Sequence, residues 1–269
     1  MTEPWLTVQR GNAPLLVSFP HTGLEIPPDG MANLVSLALA RHDTDWHIDR
    51  LYAFAADLGA TIVHTALSRT VIDVNRDPSG ASLYPGQTTT GLVPMETFDG
   101  RPLYRRGEAP TADEIERRKR LYLEPYHAAL ADELERLRAQ HALVVLYDCH
   151  SIRSVIPRLF SGELPVFNIG TNDGKSCNPM LTERIEAACR SSPWSYVVNG
   201  RFKGGWITRT YGRPTDGIQA MQMELALRGY LPEETDPPRW DPEFAQPIQR
   251  TLRAALEACL AFARDQKRT

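Results

Sequence analysis

The sequence predicts an α/β protein, a three-layer α/β/α arrangement around a central mixed, largely parallel sheet. Three observations predict it. Short apolar runs alternate with helix-like segments along the chain, the order expected when helices cover both faces of one sheet. Those runs are nearly continuous rather than alternating, as in strands buried on both sides. No internal repeat or low-complexity linker breaks the pattern, so residues 1–269 read as a single domain, large but within range for one core.

In chain order, Leu15–Phe19 is the first strand, a run that delivers His21 to a loop flanked by Pro20 and Gly23. Asn33–Arg41 and Asp45–Leu58 are helix-like, and Thr61–Thr65 and Val71–Val74 are the next short strands. The Pro/Gly-rich stretch from Asp77 to Pro110 reads as a long excursion of loops. Thr111 and Glu114 have the spacing of a capping box, which starts a helix over Thr111–Gln140. Its run Arg117, Arg118, Lys119 and Arg120 reads as a solvated face. Leu143–Tyr147 and Val166–Gly170 are strands, Pro179–Cys189 is a helix, and Tyr196–Val198, Ile207–Thr210 and Met221–Leu225 are the remaining strands. A breaker-rich stretch, Pro232 to Pro242, separates the last of these from a helix over Pro242–Asp265.

Composition narrows the function classes. At 42% hydrophobic and 23% charged residues, the chain builds a core without staples. A net charge of −3 offers no basic face for nucleic acid, although a local arginine cluster can still serve an acidic small molecule. The four cysteines, Cys149, Cys177, Cys189 and Cys259, form no CxxC pair and suggest neither a zinc knuckle nor a disulfide framework. The N-terminal stretch lacks the basic and apolar regions of a signal peptide, and no window approaches 18 apolar residues. The expectation is a cytoplasmic protein with reduced thiols and no membrane partner.

Sites in such sheets gather at the carboxyl ends of strands. There the sequence places His21 after Leu15–Phe19, Asp148 and His150 after Leu143–Tyr147, and Glu224 inside an otherwise apolar strand. Asp148 and His150 are two apart and face the same way in extended chain, the usual pairing of a ligating imidazole with an orienting carboxylate. A catalytic zinc commonly takes two histidines and a carboxylate and keeps one position open. His21 and His150 supply two ligands, and Glu25, Asp43 and Asp45 are the candidates for the third. Glu224, costly to bury unless it is paired or working, is the candidate general base. The alternative of a separate site at His42, Asp43, Asp45 and His47 is disfavoured, since His42 and His47 are five apart and share no helix face. His64 is expected in or beside a strand, and His127 and His141 on or after the long helix.

Two stretches suit an anion. Asn75 and Arg76 end a predicted strand side by side, a neutral donor next to a bidentate cation. Asn199–Arg213 mixes glycines with Arg201, Lys203, Arg209 and Arg213 and can approach an anionic ligand closely; the competing reading is a solvated hairpin.

The motifs PHTG, DTDWHIDRLY, SRTVIDVNRDP, YDCHS, GRFKGGWITRTYGRP and IQAMQMELALRGY, together and in order from Leu15 to Tyr230, resemble the N-formylglutamate amidohydrolase (N-formylglutamate deformylase) family. That family is similar in turn to zinc carboxypeptidases and aspartoacylase-type deacylases, so the resemblance implies a zinc-carboxypeptidase-like (phosphorylase/hydrolase-like) fold. It implies His21 and His150 as ligands of one divalent metal, Zn2+ foremost, with Asn75 and Arg76 on a substrate carboxylate and Glu224 as base. The relatives carry His-x-x-Glu where this chain has Leu24 and then Glu25, and the family's Asp-x-x-Ile-Asp pattern favours Asp45 as third ligand over Glu25 and Asp43, with Asp49 behind it. The implied reaction is hydrolysis of N-formyl-L-glutamate to formate and L-glutamate, a step of histidine breakdown. Two substrate carboxylates call for two cationic subsites, Arg76 and one or more of Arg201, Lys203, Arg209 and Arg213, with Arg69 placed to stabilise an oxyanion.

Overall fold

The computed structural model describes residues 5–83 and 86–265. Its strands are β1 (Leu6–Gln9), β2 (Leu15–Phe19), β3 (Thr61–Thr65), β4 (Val144–Ile152), β5 (Phe167–Gly170), β6 (Tyr196–Val198) and β7 (Ile218–Ala226). Among the described residues they form one sheet in the order β1-β3-β2-β4-β7-β5-β6. The central strands β3, β2, β4 and β7 run parallel, while β1 and β5 join antiparallel and β6 runs parallel to β5. The sheet is mixed with a parallel centre, as predicted.

The helices are α1 (Pro28–Met31), α2 (Leu37–Ala40), α3 (Ile48–Leu51), α4 (Ala112–Arg118), α5 (Glu124–Gln140), α6 (Pro179–Arg190), α7 (Trp206–Tyr211) and α8 (Pro242–Asp265). One face of the sheet, with Val145, Tyr147, Cys149, Met221 and Met223, packs on α3, α6 and α8. The other, with Leu16, Val144, Leu146 and Ala220, packs on α5 and α7 through Tyr126, Leu130, Ile207 and Tyr211. Alternate side chains of β4 and β7 therefore serve two cores, and both nine-residue strands are buried at every position. Continuous apolar runs are what such strands require.

The Thr111 cap forms as expected, with its hydroxyl accepting from the Glu114 N–H. The long helix is interrupted by a π-helical turn at Lys119–Leu123. Pro125 accounts for it, since a proline lacks the N–H that the preceding turn needs and crowds the carbonyl four residues back. Arg118 departs from the expected solvated face. It is 6% exposed and donates to the Val71 carbonyl, fixing the loop above it.

Other departures have local causes. The expected helices Asn33–Arg41 and Asp45–Leu58 shrink to α2, α3 and a 3-10 turn at Ala53–Ala55. Val71–Val74 is irregular chain whose apolar side chains are buried in the second core; burial, not pairing, explains its composition. Ile207–Thr210 lies in α7 rather than in a strand, because Ile207, Thr208 and Tyr211 are buried at helical spacing. Strand β1 is a four-residue edge strand whose burial alternates, too short to stand out as an apolar run. His64 sits in β3, His127 in α5 and His141 at its end, as expected. No helix among the described residues is long and apolar enough to cross a membrane.

His127 offers a stability test. Its Nε2 lies 2.8 Å from the Val74 carbonyl and its Nδ1 3.0 Å from the Tyr211 hydroxyl, and burial pushes its pKa below the ordinary histidine range. The unfolded chain therefore binds a proton there that the folded chain resists, so this contribution is present above about pH 6.5 and is lost as pH falls below it. Thermal unfolding at pH 7.5 and pH 5.5 should give a lower Tm at the lower pH, and His127→Gln should reduce that difference.

Candidate active site

Three adjacent parallel strands deliver the site. Strand β2 ends at Phe19, and His21 follows. Strand β4 runs past its predicted end and carries Asp148 and His150 itself. On β7, Gln222 pairs in register with Asp148 and Glu224 with His150. All four project from the sheet face that is apolar lower down at Val144, Leu146 and Ala220, so one face turns from core to chemistry along its length.

Of the three candidate carboxylates, Asp45 is the one that lies beside the two histidines. Glu25 is exposed and its backbone bridges to Leu67. Asp43 accepts from the Phe98 N–H at 2.7 Å. Asp45, 1% exposed, stands with His21 and His150. Its N–H donates to the His21 carbonyl at 3.0 Å, and the Trp46 carbonyl accepts from Tyr230, whose hydroxyl also bonds Ser151. The left-handed backbone of His47, φ 60°, then turns the chain into α3.

Tautomers follow from the outer partners. The His21 Nε2 lies 2.7 Å from Asp73 Oδ1 and the His150 Nε2 2.8 Å from Asp148 Oδ2. Each imidazole donates its Nε2–H outward, which leaves both Nδ1 lone pairs facing inward. The inward atoms form a triangle: 3.1 Å between the two Nδ1 atoms, 3.0 Å from His150 Nδ1 to Asp45 Oδ2 and 3.5 Å from His21 Nδ1 to Asp45 Oδ2. Ligand bonds of about 2.0–2.1 Å in a tetrahedron have edges of about 3.3 Å, so the triangle fits one face of a metal site. Three lone pairs this close repel unless a cation lies between them.

The surroundings hold positive charge in place. Burial works against charge on His150, but the Asp148 and Asp45 carboxylates outweigh it and hold the imidazole well above its ordinary pKa, so a cation is favoured at its Nδ1, either a proton or the metal ion that would displace it. Burial likewise pushes Asp73 up, yet Arg76, His21 and Arg69 overcome it and hold its carboxyl well below the usual range. Asp73 accepts from Arg69 at 2.7 Å and from the Asn75 N–H at 2.9 Å as well. It was missed in the sequence, where an apolar run hid it as a strand residue. Asp49, expected behind Asp45, instead sits half-buried in α3 near His64, whose pKa is lowered by burial against the opposing pull of Asp49. His42 and His47 bond Asp236 and the Pro238 carbonyl, away from the triangle.

A cavity of about 300 Å³ opens on this cluster. His21, Arg69, Asn75, Arg76, His150, Arg201 and Glu224 all line it, so most of the predicted site residues converge. The Arg69 guanidinium lies under the Phe98 ring and 3.6 Å from Asp45 Oδ1. Arg76 is held by the Thr90 carbonyl and hydroxyl, and Arg201 by the carbonyls of Leu159 and Thr88. Asn75 Oδ1 accepts from the Ile207 N–H, and its Nδ2 donates to Asp148. Lys203, Arg209 and Arg213 do not line the cavity. Lys203 pairs with Asp173, Arg209 donates to the Gly204 carbonyl, and Arg213 lies 3.8 Å from Asp216. The cause is α7: a helix, not the expected strand or hairpin, carries Arg209 and delivers Arg213 past its end. Burial pushes Glu224 up to about 7, against the opposing pull of His150.

Fold and site together define a class: α/β hydrolytic enzymes whose reactive groups sit at the carboxyl edge of a mixed sheet. The chain belongs to the N-formylglutamate amidohydrolase family, whose model matches residues 13–231. It is 47% identical to the N-formylglutamate deformylases of Pseudomonas aeruginosa and Pseudomonas putida, over 97% of this chain and 98% and 97% of theirs. The crystal structure of N-formylglutamate amidohydrolase from Ralstonia eutropha superposes with a TM-score of 0.80 at 26% identity, covering 97% of this chain and 98% of that one.

Metal analysis of dialysed protein checks the ligand set. Asp45→Ala should lose the bound ion, while Glu25→Gln and Asp43→Asn retain it. Asp73→Asn and Asp148→Asn should weaken metal affinity roughly 10- to 100-fold, the usual effect of removing an orienting partner.

Proposed function

We propose that this protein hydrolyses N-formyl-L-glutamate to formate and L-glutamate, with Zn2+ held by His21, Asp45 and His150. The observation that carries the reading is a His–Asp–His triangle and a buried carboxylate, Glu224, lining the same small cavity as two cations suited to a dicarboxylate. The relatives' names supply the acyl group. A cavity of about 300 Å³ lies at the lower end of small-molecule sites. The four described cysteines are free, which supports a reducing, cytoplasmic setting.

Bound there, the ion supplies Lewis-acid polarisation of the formyl carbonyl and acidifies water. Arg76 and Arg201 bind the two carboxylates of the substrate, with the Asn75 amide as a neutral donor beside Arg76. Arg69, fixed by Asp73, stabilises the charge that develops on the formyl oxygen. Glu224 takes the proton from the attacking water and returns it to the amine nitrogen as the C–N bond breaks. A carboxyl raised by burial toward neutrality suits both halves of that task.

Incubation of the zinc-loaded protein with N-formyl-L-glutamate should release formate, whereas N-acetyl-L-glutamate should yield far less acetate. Comparable turnover of the acetyl compound would move the assignment to a broader deacylase. Glu224→Gln should lower kcat by about 10²- to 10⁴-fold, and a loss of less than about tenfold removes Glu224 from the base role. Because Glu224 acts ionised, kcat/KM should fall on the acid side of a limb at or below about pH 7. Arg201→Ala should act mainly on KM, read from the same formate assay.

A further inference from the structure

Gln222 lines the cavity, is 4% exposed and has no part in the chemistry above. It lies two residues before Glu224 on β7, so both side chains leave the same face of the sheet. Its Oε1 accepts from the Gly205 N–H at 2.7 Å, and its Nε2 lies 3.0 Å from Glu224 Oε2. The orientation of the amide is not arbitrary. A backbone N–H can only donate, so the oxygen must face Gly205 and the NH2 group must face Glu224. Gly205 is itself pinned, since a Cβ there would lie 2.4–2.6 Å from the atoms of the Asn75 amide. The segment that closes over Asn75 thus dictates which end of Gln222 meets the carboxylate.

We propose that Gln222 is the positioning residue of the base: it anchors one oxygen of the Glu224 carboxylate and leaves the other to exchange the proton. The inference rests on the reading of Glu224 as base. A buried carboxylate with both oxygens loose would rotate among orientations, few of them aligned with the water and with the amine nitrogen. One donated N–H removes that freedom and favours the ionised form that accepts the proton. It also joins the base mechanically to the Gly204–Gly205 turn, and through Asn75 to the orienting carboxylate Asp148.

The test separates positioning from mere support. Gln222→Glu keeps an acceptor for the Gly205 N–H and, assayed at a pH where both carboxyls are ionised, replaces the donor to Glu224 with a second acceptor. Gln222→Met removes both. With zinc content and Tm measured alongside, both variants should lower kcat for formate release about 10- to 100-fold, the scale of a misplaced reacting group, with KM within about threefold of wild type. In a Glu224→Gln background, Gln222→Met should cost less than about threefold, because residues that act as a unit are not additive. A Gln222→Glu enzyme with wild-type kcat, or a Gln222→Met loss of equal size in both backgrounds, overturns the proposal. Should Gln222→Met fail to fold, the Gln222→Glu rate decides alone. A wild-type rate in Glu224→Gln is a separate result, which removes the base reading itself.

Discussion

Asp73 is the interaction on which the site depends. A fully buried carboxylate is tolerated only if it is paired and hydrogen-bonded. Asp73 meets that requirement by collecting four partners from one turn and one strand end: His21, Arg69, the Asn75 N–H and, at 3.5 Å, Arg76. Each partner has a second task. The bond to His21 aims a lone pair into the triangle, the bond to Arg69 holds its guanidinium at the cavity, and the backbone bond sets the Asn75–Arg76 pair at the cavity wall. Satisfying one buried charge thereby orients His21, Arg69 and the Asn75–Arg76 pair at once.

The sheet imposes the second constraint. Parallel pairing of β4 with β7 sets His150 beside Glu224 and Asp148 beside Gln222. A slip of one residue would turn all four into the opposite core and bring Tyr147, Cys149, Met221 and Met223 into the cavity. The apolar lower halves of the same strands, packed on both faces, hold that register. Core packing and site geometry are thus two ends of the same pair of strands.

Electrostatically the cluster is a cradle. Asp45, Asp73 and Asp148 surround two imidazoles and keep positive charge at the centre, while Glu224, on the neighbouring strand, is raised by burial rather than lowered by pairing. Neighbouring carboxyls are driven in opposite directions by their surroundings, the pattern that lets one site keep one carboxyl charged and another near neutrality.

By itself the sequence determined the α/β class, the central strands, and His21, His150 and Glu224 as the groups to watch, because strand-end histidines and an acid in an apolar run are local signals. Local pattern also offered Asn75 and Arg76 for an anion, and the motifs that the chain shares with its family put Asp45 ahead of the other carboxylates. Only the tertiary structure decided that Asp45 rather than Glu25 or Asp43 completes the triangle, since the choice depends on how the chain after His21 folds back. It alone showed Asp73 as the hub, Gln222 beside the base, and Arg201 rather than Lys203, Arg209 or Arg213 at the cavity. Those assignments depend on contacts between residues far apart in the chain, and on α7 forming where β-branched residues suggested a strand; neither the partner of a buried charge nor the direction of a cation's side chain is written in local pattern.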